Sequence, residues 1–135
     1  MSRSGYSEDY DDQWALIRWR GAVASAIRGR HGQAFLKELL SALDALPEKA
    51  LIAGDLEHQG QVCALGAVGK ARGVDMTSLD PYDAFQVSNI FNIAEALAKE
   101  IAWINDEASW YRMETPERRF DRVREWVVSK IKTAQ

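Results

Sequence analysis

Residues 60–73, GQVCALGAVGKARG, carry the chain's one cysteine, a Gly-Lys pair and glycines at 60, 66, 69 and 73. Two chemistries use such residues: a glycine-rich loop that grips phosphate, and a thiol that acts as nucleophile or redox centre. A phosphate loop of the Walker type needs a glycine five residues before its Gly-Lys pair and a Ser or Thr hydroxyl after it. Ala64 and Ala71 stand at those two places, so the motif fails twice. The paired-glycine fingerprint of dinucleotide folds fails as well, because Gly66-Ala67-Val68-Gly69 lacks its first glycine and follows no long strand. A reactive thiol needs a base or cation to lower its pKa. Cys63 lies between Val62 and Ala64, and His58 is five residues away across a polar stretch. Cys63 therefore reads as a small buried hydrophobe, and the small residues Ala64, Gly66, Ala67, Gly69 and Ala71 as a helix surface that approaches its neighbours closely.

The remaining chemistry is sparse. His31 and His58 are the two histidines, and neither stands in a nucleophile motif or at zinc-like spacing from a second ligand. Asn105-Asp106-Glu107 reads as a helix end turning into a loop, where Asn and Asp are at home. No nucleophile, metal or phosphate pattern is present, so the expectation is a non-enzymatic protein with no catalytic residue, no metal and no cofactor.

The elements that position these residues read as helical. Leu16, Trp19, Val23 and Ile27 recur at three and four residues, widened by Ile17 and Ala24, which predicts a helix over 12–28 with Asp11 or Asp12 as its cap. Gly29 or Gly32 ends it, and a second helix over 33–46 carries Phe35, Leu39, Leu43 and Leu46 on one face before Pro47 stops it. A small β-hairpin is expected within 49–64, its strands around Leu51-Ile52 and Val62, followed by a short helix over 64–72 closed by Gly73. Asp80 and Pro81 predict the start of a helix running to about Ile90, and Asn92 with Glu95 a further start for a helix ending near Asn105. Thr115 and Pro116 open the last helix, whose buried face is Phe120, Val123, Val127 and Ile131. The fold class is mainly α: one helical domain over 12–135 of five to six helices with a small hairpin near 49–64, preceded by a flexible acidic arm over 1–11.

Composition and charge bound the partners. At 135 residues the chain buries about two-thirds of its unfolded surface as one domain. Hydrophobic residues at 47% against 27% charged rule out a disordered composition. No apolar run is long enough to cross a bilayer, no apolar leader opens the chain, and a single cysteine excludes an internal disulfide, so a cytoplasmic protein with no membrane partner is expected. The net charge of −3 gives no overall attraction to nucleic acid. Charge is clustered all the same. Glu8, Asp9, Asp11 and Asp12 make the acidic arm, and Trp110, Tyr111 and Arg112 lie together in a predicted loop. Trp, Tyr and Arg are common interface anchors, and an acidic arm docks on a basic surface, so these seven residues are the candidate protein-binding site. The alternative is a small helix-turn-helix-like DNA-binding regulator. It would use Arg28, Arg30 and Lys37 in the first two helices and the turn between them, and Arg118, Arg119 and Arg122 on the last helix, although the second helix is thin in base-reading side chains. Symmetric homodimerisation through an exposed apolar face fits the same sequence.

The Cys-Ala-Leu-Gly helix start at 63–66, the later Asn105-Asp106 pair, and the terminal helix with Phe120 and Trp126 resemble a set of small, mostly uncharacterised proteins encoded by phages and prophages. The resemblance covers roughly residues 49–132. It implies a phage accessory role, a class that includes inhibitors of host defence such as anti-CRISPR proteins, and a bacterial host protein or ribonucleoprotein complex as partner. It supplies no catalytic residue.

Overall fold

The computed structural model describes residues 3–4, 13–109 and 113–132. These form α1 (Gln13–Arg28), α2 (Arg30–Ala45), β1 (Glu57–His58), β2 (Gln61–Val62), α3 (Ala64–Arg72), α4 (Ala84–Phe91), α5 (Glu95–Asp106) and α6 (Pro116–Lys130). The fold is mainly helical with one small antiparallel hairpin, as the periodicity predicts.

Helix α2 is the centre of the bundle. Its Phe35, Leu36, Leu39 and Leu43 are buried, and it packs on α1, α3 and α6. A fully buried leucine contributes about 1.5–3 kcal/mol, so this stripe alone anchors three neighbours. Phe35 meets Phe91 of α4 edge-on, with centroids 6.4 Å apart and planes at 72°. Helix α5 forms the second axis, packing on α1, α3 and α4. Helix α6 closes the core with Phe120, Val123 and Val127.

Helix α1 departs from its expected burial. Of Leu16, Trp19, Val23 and Ile27 only Val23 is fully buried, and Leu16 is 40% exposed. The physical reason is position: α1 lies at the edge of the bundle against α5 and α2, and its apolar stripe outruns the surface available to it. Charged contacts supplement the apolar ones there. Lys99 sits 5.1 Å over the Trp19 ring, Arg20 5.8 Å over the Trp103 ring, and Arg20 Nη1 reaches Glu100 Oε2 at 3.4 Å.

Several termini fall where their local chemistry puts them. Thr115 Oγ1 accepts the Arg118 amide at 3.2 Å with Pro116 at the first turn of α6. Gly73 closes α3 at φ 71°, in the left-handed region that glycine enters cheaply. Four other expectations are corrected. The break between the first helices is Gly29 in extended conformation, and α2 starts at Arg30 rather than at residue 33. Gly32 lies inside α2, where a Cβ would collide with the Ala26 carbonyl. Asp83, not Asp80, caps α4; Asp80 accepts the Tyr82 amide in a preceding turn. Asn92 terminates α4 at φ 56° and does not open α5.

The hairpin sits further along the chain than expected. Its paired residues are Glu57↔Val62 and His58↔Gln61, and the turn residues Gln59 (φ 51°) and Gly60 (φ 80°) both have the positive φ of a type I′ turn. Leu51 and Ile52 form no strand. The Leu51 amide donates to Pro116 O and the Ile52 amide to Val62 O, which ties this segment to α6 and to β2.

Candidate functional site

The motif residues Cys63, Asn105 and Asp106 meet in one buried polar cluster. Cys63 caps α3, its Sγ accepting the Gly66 amide at 3.4 Å. Gly66 has no room for a side chain, since a Cβ there would collide with the Leu56 carbonyl. Asn105 has no exposed surface. Its Oδ1 accepts the Ala64 amide at 3.0 Å, and its Nδ2 donates to Ile52 O and Asp106 Oδ1, both at 2.8 Å. One side chain thus ties the end of α5 to the start of α3 and to the segment before the hairpin.

Arg3 completes the cluster from the chain's N-terminal arm. Its Nε and Nη2 each donate to a carboxylate oxygen of Asp106 at 2.6 Å, and its Nη1 donates to Asp55 O at 3.1 Å and Cys63 Sγ at 3.4 Å. Ser4 Oγ donates to Glu107 Oε2 at 3.0 Å. Both residues are buried, so at these two positions the flexible arm expected over 1–11 is docked instead. Burial by itself would push the Asp106 carboxyl up. The hydrogen bonds and charge of Arg3, with those of Asn105 and the Gly54 amide, outweigh it and hold the group below the ordinary 3.8. Burial works against the Arg3 charge too, and the Cys63 sulfur and Asp106 overcome it, so its pKa is raised.

The structure disperses the candidate nucleic-acid residues. Arg28 and Lys37 are exposed, and Arg30 lines a cavity of about 460 Å³ with Phe35, Glu38, Arg72 and Phe91. Arg118 is exposed. Arg119 and Arg122 are turned inward. Arg119 Nη1 donates to Leu51 O at 2.9 Å. Arg122 holds both Glu114 oxygens, at 2.7 and 2.9 Å, and donates to Ile104 O and Asn105 O. These bonds, first that of Arg122 and then the charges of Arg122 and Arg119, hold the Glu114 carboxyl below its usual range. Helix α2 cannot offer a broad reading face, because it packs on three helices and its Asp44 and Glu38 are paired with Arg124 and Arg72. His31 donates through Nε2 to Asn92 O at 2.8 Å, a contact between α2 and the end of α4.

The candidate protein-binding residues Glu8, Asp9, Asp11, Asp12, Trp110, Tyr111 and Arg112 lie outside the described residues. What the periodicity missed is exposed apolar surface. Trp14 is 71% and Ile17 58% exposed, three residues apart on one side of α1, and Phe85 of α4 is 64% exposed. Trp14 stands about half a turn round α1 from the buried Val23, off the apolar stripe, so the periodicity that marks the buried face does not include it. Among the described residues no three His, Cys, Asp or Glu side chains gather into a metal-holding group, and no helix is long and apolar enough to cross a membrane.

Comparison with protein-family models, with curated proteins and with solved structures yields no match.

Proposed function

We propose that this is a non-enzymatic accessory protein of phage or prophage type that works by binding a host protein or ribonucleoprotein complex, with inhibition of a host defence complex as its role. The observation that carries the binding reading is the exposed apolar pair Trp14 and Ile17, neighbours on one side of α1 at its start. Large apolar side chains grouped on a surface mark interaction sites, and tryptophan is the residue most enriched among interface anchors. The phage assignment rests on the resemblance carried by Cys63–Gly66 and Asn105-Asp106. Those residues are engaged in holding the fold together, which leaves recognition to the surface.

The test is affinity capture from nuclease-treated bacterial lysate with the native sequence and with a Trp14→Ala, Ile17→Ala double variant. The expected result is a stoichiometric protein complex that survives moderate salt with the native sequence and is lost with the variant. Equal capture by both would remove α1 as the contact surface. Retention on duplex DNA that falls steeply with salt would replace the proposal by the DNA-binding regulator.

A further inference from the structure

Three separate stretches of chain present acceptors to a single planar cation. Asp106 at the end of α5 supplies two carboxylate oxygens, Asp55 in the loop before β1 a carbonyl, and Cys63 at the cap of α3 a sulfur. Two of these acceptors are held by partners other than Arg3. Asp106 Oδ1 also takes the Gly54 amide at 3.1 Å and Asn105 Nδ2 at 2.8 Å, and Cys63 Sγ takes the Gly66 amide. Acceptors fixed in a fork suit a guanidinium, whose donors lie in one plane, whereas the ammonium of lysine is a point donor that meets only part of the set. Arg3 also stands far from these partners along the chain, 103 residues from Asp106 and 60 from Cys63. The acidic residues Glu8, Asp9, Asp11 and Asp12 fall between this anchor and α1.

We propose that Asp106, Asp55 and Cys63 form an arginine-binding slot, occupied in cis by Arg3 and able to take an arginine side chain in trans when Arg3 is withdrawn. Arg3 is then a latch. Its release exposes a site for an arginine-bearing peptide.

Thermal unfolding of an Arg3→Ala variant, titrated with Nα-acetyl-L-arginine amide and, in parallel, with Nα-acetyl-L-lysine amide, tests this. The variant is expected to melt below the native sequence. The arginine amide at ten times its dissociation constant should raise that midpoint by about 2–5 °C, with the lysine amide doing markedly less and the native sequence responding to neither. Adding Asp106→Asn to the variant should abolish the difference between the two amides. Equal responses to both amides, or an arginine response that persists with Asp106→Asn, would overturn the slot and leave Arg3 as a structural contact. Should Arg3→Ala fail to fold, the same titration on Arg3→Lys decides: a rise specific to the arginine amide supports the slot, and its absence overturns it.

Discussion

Asp106 is a carboxylate whose ionised form the fold requires. Its pKa is held below 3.8 in the folded protein, so the folded state binds the proton less readily than the unfolded chain does. The stabilisation is therefore complete above about pH 4 and is lost as the pH falls from there through the lowered folded value. Urea midpoints measured between pH 6 and pH 2.5 should fall less steeply for Asp106→Asn than for the native sequence, with the variant already the less stable of the two at pH 6. Parallel slopes would mean that the Arg3–Asp106 pair contributes nothing to the acid limb. The sequence puts Asn105-Asp106-Glu107 at a helix end, and α5 closes at Asp106. It did not show what these side chains do. The partners of Asn105 are 41 and 53 residues away, at Ala64 and Ile52, and no local pattern encodes a bond over that distance. Cys63 was legible as buried, and its service as a helix cap was not.

At the scale of elements, ends set by neighbouring residues were legible and ends set by choice between equivalents were not. Thr115-Pro116 and Gly73 each offer one local solution. Asp80 and Asp83 both suit an N-cap, and the decision falls to Asp83 because Asp80 spends its side chain on the Tyr82 amide. Asn suits either end of a helix, as a cap through its side chain or as a left-handed terminator, and Asn92 takes the second role. The glycine-rich surface of α3 was legible as a close-packing one, and the structure separates its two internal glycines. A Cβ at Gly66 would meet backbone, the Leu56 carbonyl, which cannot move without shifting the segment before the hairpin; a Cβ at Gly69 would meet the flexible side chain of Met76. Gly66→Ala is expected to cost about 2–3 kcal/mol through overpacking. Gly69→Ala is expected to lie within about 1 kcal/mol of neutral, because the gain in helix propensity offsets the displacement of Met76. Chemical denaturation of both variants checks the contrast, and similar losses at the two sites would show that α3 is less tightly seated than its contacts indicate.

For the whole molecule, several arginines of α3 and α6 are cross-links between elements, among them Arg122 of the candidate nucleic-acid residues. Arg72 holds Glu38 across α3 and α2, Arg124 holds Asp44 across α6 and α2, and Arg122 ties α6 to Glu114 and to the carbonyls of Ile104 and Asn105 at the end of α5. Arg122 is more shielded than Arg72 and Arg124, and two of its acceptors are main-chain carbonyls. Surface ion pairs are worth about 0–1 kcal/mol, whereas hydrogen bonds from a charged donor to shielded acceptors are worth about 1.5–3 kcal/mol. Arg122→Ala is thus expected to lower unfolding stability by about 2–3 kcal/mol, and Arg124→Ala by distinctly less. If these arginines are structural, retention of the folded variants on heparin or duplex DNA should match that of the native sequence once the lost charge is allowed for by comparing the two variants with each other. A variant at Arg122 that keeps its stability while losing DNA retention, beyond the loss seen at Arg124, would instead make α6 a phosphate-binding face. The recognition surface would then have to be sought there and not on α1.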